Sequence, residues 1–293
     1  MFKSHRTTAR GFLVLLLVGV SAGTAQAASV PALTSFPVVG NVHYTDDFGD
    51  PRPQGPHEGN DIMSVRHQPA VAFEGGTVKK WVGSSLGTCM LYLYGKSGMT
   101  YVYIHLNNDL GPNNDNKGGC KNGISWAPGL QNGDHVRRGQ LVGYVGDSGD
   151  ANGLQPHLHF EVRKPNGTAI DPFAYLNKAK RVLFPQPASR DPITLGLRNA
   201  KILATGTDTL TVRTSSVRVS RWKRRYPFQR KVVFTLPSDA TVQRITNSGR
   251  VAAAASDLGV GDAIWFRTTQ FAPSWTAQRA GAGILSVATI TLR

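Results

Sequence analysis

Three short stretches set histidine beside glycine-rich turns: HEGND (57–61), YIHL (103–106) and PHLHF (156–160). A hydrolytic zinc centre takes three protein ligands from histidine and carboxylate and keeps a fourth position open for water. His57 and Asp61 lie four residues apart, an even step that puts both on one face of an extended segment. Either His157 or His159 could complete a set of two histidines and one carboxylate. Both belong to a strand-like run and point the same way, with Cα atoms about 7 Å apart, so one metal cannot easily use the pair. Each histidine alone reads as a loop, core or edge-strand residue. Their joint occurrence points to a site, and the same donor set also suits non-haem iron.

The elements that must carry these residues are mostly strands. MLYLY, GKSG and MTYVYIHL read as a β-hairpin, GQLVGYVG and HLHFEVRK as two further strands, and DPFAYLNKAKRVL (171–183) as a helix. After FPQPASRDP, a polar Pro-containing stretch read as a linker near 184–192, short strands resume. The expected fold class is all-β: an antiparallel distorted β-sandwich over 28–185, followed by a small β-barrel over 186–293.

Residues 1–27 read as a signal peptide, with a basic start, the apolar run GFLVLLLVGV and a small-x-small site at Ala25-Gln26-Ala27. The mature chain is expected to start near Ala28 and to work outside the cytoplasm without spanning a membrane. Cys89 and Cys120, the two cysteines of the chain, then read as one disulfide stapling a polar loop to a strand. Charge is uneven. Residues 28–185 carry 14 Lys+Arg against 13 Asp+Glu, whereas 186–293 carry 16 against 5. SRWKRRYPFQRKVVF (220–234) concentrates cations among aromatics, a pattern suited to an anionic envelope polymer rather than nucleic acid in an exported protein.

HEGND and HLHFEV match the H-x-G-x-D and H-x-H signatures of the lysostaphin-type (LytM-like) zinc metallopeptidases that cut peptidoglycan peptides. FPVVGNVHYTDDFGDPRPQGPHEGNDI, with its FG-x-PR loop, YVYIHL and NGDHVRRGQLVGYVGDSG extend the resemblance over about residues 36–175. The resemblance implies one zinc ion per chain, held by His57, Asp61 and His159, with His105 and His157 at the two catalytic positions. Tyr101 and Tyr103 share the face of His105 on a regular strand, which makes Tyr103 a candidate substrate contact. Glu161 reads as structural, with support of a ligand histidine as the alternative. His43, His67 and His135 match no motif position. Two loops, 108–129 and DSGDANGLQ, are longer than the resemblance leads one to expect.

The function expected is a secreted, cell-wall-associated and monomeric zinc endopeptidase acting on peptidoglycan. The alternative is a non-catalytic wall-binding or amidase-activating protein that retains the metal site.

Overall fold

A computed structural model describes residues 28–83, 88–220, 225–279 and 285–293, with the backbone alone for 225–230. The leader expected over 1–27 lies outside the described residues. The first half carries β1 (Pro51–Arg52), β2 (Gly55–Pro56), β3 (Asn60–Met63), β4 (Pro69–Val71), β5 (Gly76–Val82), β6 (Cys89–Gly95), β7 (Thr100–Leu106), β8 (His135–Val136), β9 (Leu141–Tyr144), β10 (His157–Arg163), β11 (Ala169–Ile170) and helix α1 (Phe173–Lys178). The second half carries β12 (Leu195–Thr205), β13 (Thr209–Val219), β14 (Arg225–Thr235), β15 (Thr241–Thr246), β16 (Gly249–Ala253), β17 (Ala263–Thr268), α2 (Trp275–Arg279) and β18 (Val287–Leu292). The chain is all-β in class, as its alternating patterns predict. Among the described residues no helix is long and apolar enough to cross a membrane.

In the first half, β11, β10, β7, β6, β5 and β8 lie side by side, and β3 pairs with the N-terminal part of β10. The pair β4–β9 forms a second, smaller layer. One core joins the layers, with Leu91, Leu93, Tyr101 and Phe160 from the large sheet and Ala70, Val142 and Tyr144 from the small one. The hairpin expected from MLYLY-GKSG-MTYVYIHL is β6–β7, paired antiparallel from Cys89–Leu106 to Tyr94–Thr100. Cys89 and Cys120 form a disulfide across 31 residues of chain, which ties the long 108–129 connection to the start of β6.

The helix expected over 171–183 is shorter and ends at Lys178. Ala179 is extended, and the Lys180 N–H donates to the Thr34 carbonyl at 2.9 Å. Pairing with an N-terminal segment thus replaces helical hydrogen bonds where the amphipathic pattern alone would continue. Likewise, the stretch read as a linker begins packed. Phe184 and Gln186 are buried, and the Leu141 N–H donates to the Gln186 carbonyl at 3.0 Å.

The second half is one seven-stranded sheet in the order β14-β13-β12-β17-β18-β15-β16, antiparallel except for β15–β18. Its inward residues, among them Leu195, Leu197, Phe234, Ile264 and Ile290, build a separate core. The ladders of the described residues leave this sheet open. A single parallel bridge from Thr235 to Ser286 draws the end of β14 towards β18, so closure into a barrel is partial. Of the basic run 220–234, residues 221–224 lie outside the described residues and 225–234 fall in β14.

Candidate metal centre and catalytic cleft

Register places two of the expected ligands. β10 and β3 pair antiparallel with His159 directly opposite Asp61 and His157 opposite Met63, and side chains of directly opposed residues share a face. His57 enters from the turn before β3. Gly59, between His57 and Asp61, has no room for a side chain: a Cβ there would stand 2.6 Å from the Phe160 carbonyl oxygen and 2.8 Å from His159 Nε2. The glycine of the H-x-G-x-D pattern is therefore what lets this segment close onto β10.

The three donor atoms meet. His57 Nε2 is 2.8 Å from His159 Nδ1, His159 Nδ1 is 3.1 Å from Asp61 Oδ1, and His57 Nε2 is 3.2 Å from Asp61 Oδ1. All three residues are buried and form a group that could hold a metal ion. A tetrahedral ion with bonds of about 2.0–2.2 Å separates its ligand atoms by about 3.3 Å, close to the spacing observed.

The other ring nitrogens determine which atoms are free. His57 Nδ1 lies 2.8 Å from the Asp47 carbonyl oxygen, and His159 Nε2 lies 3.2 Å from Glu161 Oε1. Those oxygens can only accept, so the N–H groups sit there and lone pairs remain at His57 Nε2 and His159 Nδ1. Two imidazole lone pairs and a carboxylate oxygen then face one another, an arrangement that requires a cation. In the metal-free chain a proton takes that place. Burial alone would lower the His159 pKa, but hydrogen bonds to Asp61 and Glu161 outweigh it and raise it to about 9. For Asp61, burial works to raise the pKa, yet the bonds from His159 and His57 hold the carboxyl well below the ordinary carboxylate range.

The surrounding carboxylates and cations fix this centre. Arg52 Nη2 donates to Asp61 Oδ2 at 3.0 Å. Asp47 Oδ1 accepts from Asn60 Nδ2 at 2.6 Å and from the Asp61 N–H at 3.3 Å. Glu161 accepts from Arg163 Nε at 2.5 Å as well as from His159, and these bonds overcome burial to keep its pKa low. Sequence reading assigned no role to Asp47 or Arg52 and took Glu161 as structural. The signal available was the even spacing of His157, His159 and Glu161, which places all three on one face of β10.

His105 reaches the same cleft by a backbone exception. Its φ is +58°, a left-handed conformation that costs a non-glycine residue energy and recurs at functional sites. The period-2 alternation therefore breaks before His105, and Ile104, opposite His159 on β10, lines the cleft instead of Tyr103. The expectation for Tyr103 is corrected here. It is fully buried, donates to the Val71 carbonyl at 3.0 Å and accepts from the Phe73 N–H at 2.8 Å. Tyr101 is equally buried and donates to Glu74.

Gly146 holds the two remaining histidines together. Its N–H donates to the His105 carbonyl and its own carbonyl accepts the His157 N–H, both at 3.0 Å. A Cβ at Gly146 would sit 2.3 Å from the Asn107 Cα. The His105 and His157 ring centres are 4.9 Å apart. His105 Nδ1 donates to the Ser148 carbonyl and His157 Nδ1 to the Gln155 carbonyl, each at 2.9 Å. Both residues therefore offer a free Nε2. That of His157 lies 3.7 Å from Asp61 Oδ1. Burial, helped by His157, lowers the His105 pKa to about 4. All five residues border one open cleft of 630 Å³. His43, His67 and His135 stand apart, with the latter two bonded to the Asp109 carbonyl and to Thr77 Oγ1.

Residues 124–172, which include His157 and His159, match the family model described as Peptidase family M23. Among particular relatives, the chain is 26% identical over 157 residues to the L-Ala--D-Glu endopeptidase of Bacillus subtilis (strain 168). That match covers 50% of this chain and 43% of the relative, so the chain spans less than half of the relative's length. Solved structures similar to it include the catalytic domain of lysostaphin from Staphylococcus simulans, 24% identical with a TM-score of 0.36, covering 47% of this chain and 93% of that one. Csd3 of Helicobacter pylori is 25% identical with a TM-score of 0.36, covering 49% of this chain and 34% of that one.

Proposed function

We propose that this chain is an exported zinc endopeptidase that hydrolyses peptide bonds in the stems or cross-bridges of peptidoglycan. The observation that carries the reading is the triangle of donor atoms, His57 Nε2, Asp61 Oδ1 and His159 Nδ1, with the His105 and His157 rings beside it in the same cleft. The M23 match and the endopeptidase named among its relatives support peptidoglycan as substrate. That substrate also implies work outside the cytoplasm, in line with the leader expected over 1–27.

The donor set fits zinc, since two imidazoles and one carboxylate at tetrahedral spacing leave room for a further ligand. When bound, zinc supplies Lewis-acid polarisation of the scissile carbonyl and acidifies water. The protein's own groups handle the protons. His105, kept neutral far below neutral pH by burial, offers Nε2 as an acceptor. His157, with Nδ1 tied to Gln155, presents its Nε2 from the neighbouring strand. Between them they can take the proton of the attacking water and return one to the leaving amine. Arg52 and Glu161 orient Asp61 and His159 and act through them.

Mass spectrometry of fragments released from purified peptidoglycan, with and without chelator, tests the proposal. New amino termini that appear only in the metal-loaded sample are expected. Binding to peptidoglycan without cleavage would favour the non-catalytic alternative, and iron rather than zinc in the purified protein would remove the hydrolytic reading.

A further inference from the structure

A second site lies far along the chain from the cleft, on the outer face of the second sheet. Alternation sends Leu195, Leu197, Ile264, Phe266 and Ile290 into the core, and their neighbours to the opposite face. Across that face the register aligns Arg218 on β13 with Gly196 on β12, Arg267 on β17 and Thr289 on β18. In the adjoining row Trp265 opposes Thr291, which opposes Gln243 on β15.

Gly196 turns this face into a groove. A Cβ at this position would meet only the Arg218 carbonyl, at 3.9 Å, so the floor between Arg218 and Arg267 is open backbone. The resulting groove has a volume of 330 Å³ and is walled by Arg198, Arg218, Arg250 and Arg267. No aspartate or glutamate lines it, and among the described residues none of the four arginines forms an ion pair. Four guanidinium groups held together without counter-charge repel one another, a cost that an anionic ligand removes.

We infer that this groove binds a phosphodiester-linked anionic polymer of the cell envelope. Guanidinium forks match phosphate oxygens in bidentate fashion, and the Thr289 hydroxyl on the floor adds a donor. Arg218 and Arg267 stand two strand spacings apart, about 10 Å, a distance suited to successive phosphates of a flexible chain rather than to one small ion. A bilayer surface fits less well, because the groove presents no exposed apolar side chain for insertion. Single-stranded nucleic acid usually stacks its bases on open aromatic faces. The groove's Trp265 is covered instead, with Arg198 and Arg293 at 4.9 and 4.8 Å from its ring and its Nε1 donating to Asn199. This surface differs from the basic run 220–234 singled out by composition.

The test uses the full chain and polyglycerol phosphate as probe, with binding measured across a salt series. The combined variant R198Q/R218Q/R250Q/R267Q is expected to bind more than about tenfold more weakly with a flatter salt dependence, at unchanged metal content and unfolding temperature. Gly196→Leu, which keeps every charge but fills the floor, is expected to weaken binding too. Unchanged affinity in either variant would overturn the proposal. So would wild-type protein that binds dextran, phosphatidylglycerol vesicles or a single-stranded oligonucleotide as tightly as the polymer.

Discussion

His159 and Asp61 face each other across the ladder between β10 and β3, with Nδ1 of one 3.1 Å from Oδ1 of the other. In the metal-free chain that contact is an ion pair, because the His159 pKa is raised to about 9. A metal must take the lone pair at Nδ1 and so displaces the proton. Below pH 9, zinc binding is therefore expected to release about one proton, and affinity to fall about tenfold for each pH unit of acidification. Calorimetry in buffers of different ionisation enthalpy measures the release. Binding independent of pH between 7 and 9 would contradict this reading of the centre.

Glu161 holds the N–H of His159 on Nε2, which leaves Nδ1 free. Glu161→Ala is expected to lower zinc affinity about 10–100-fold and to lower the His159 pKa of the metal-free chain as followed by nitrogen NMR. A loss of stability with normal zinc affinity would instead make Glu161 a purely structural residue.

Gly59→Ala places a methyl group against the Phe160 carbonyl and His159 Nε2. The strand pair must open to accept it, at a cost of about 1–3 kcal/mol. Thermal unfolding and metal content are expected to fall together; a wild-type unfolding temperature would show that the segment can shift without strain.

The Cys89–Cys120 bridge closes a loop of 31 residues, worth about 3–4 kcal/mol on the chain-entropy account. Its effect should reach the cleft. The Cys89 N–H donates to Ser148 Oγ at 2.9 Å, and the Ser148 carbonyl accepts from His105. The Cys89→Ser/Cys120→Ser variant is expected to lose stability by that amount under denaturant and to lose more turnover than zinc.

The residues of the candidate metal group were legible because they obey local rules. His57, Asp61, His157 and His159 sit at even spacings on extended chain, and the resemblance to a known family chose His159 over His157. The all-β class followed from alternation and turn chemistry in the same way. Tyr103 was misplaced because alternation was carried through His105, whose left-handed backbone no periodicity reveals. Asp47, Arg52 and Glu161 act by contacts with partners 2 to 14 residues along the chain that only folding selects, such as the Asp47 carbonyl against the His57 ring. The arginine groove has no sequence signature because its four arginines are scattered over four strands and only register assembles them, unlike the contiguous run at 220–234.

The central claim is a division of labour in which His57, Asp61 and His159 hold the metal while His105 moves protons. Metal content and peptidoglycan hydrolysis measured together for wild type, Asp61→Ala and His105→Ala test it most directly. The expected result is one zinc per chain in wild type and in His105→Ala, none in Asp61→Ala, and hydrolysis lowered about 10²–10⁴-fold in His105→Ala. Zinc lost from His105→Ala, or full hydrolysis by a zinc-free Asp61→Ala protein, would contradict it.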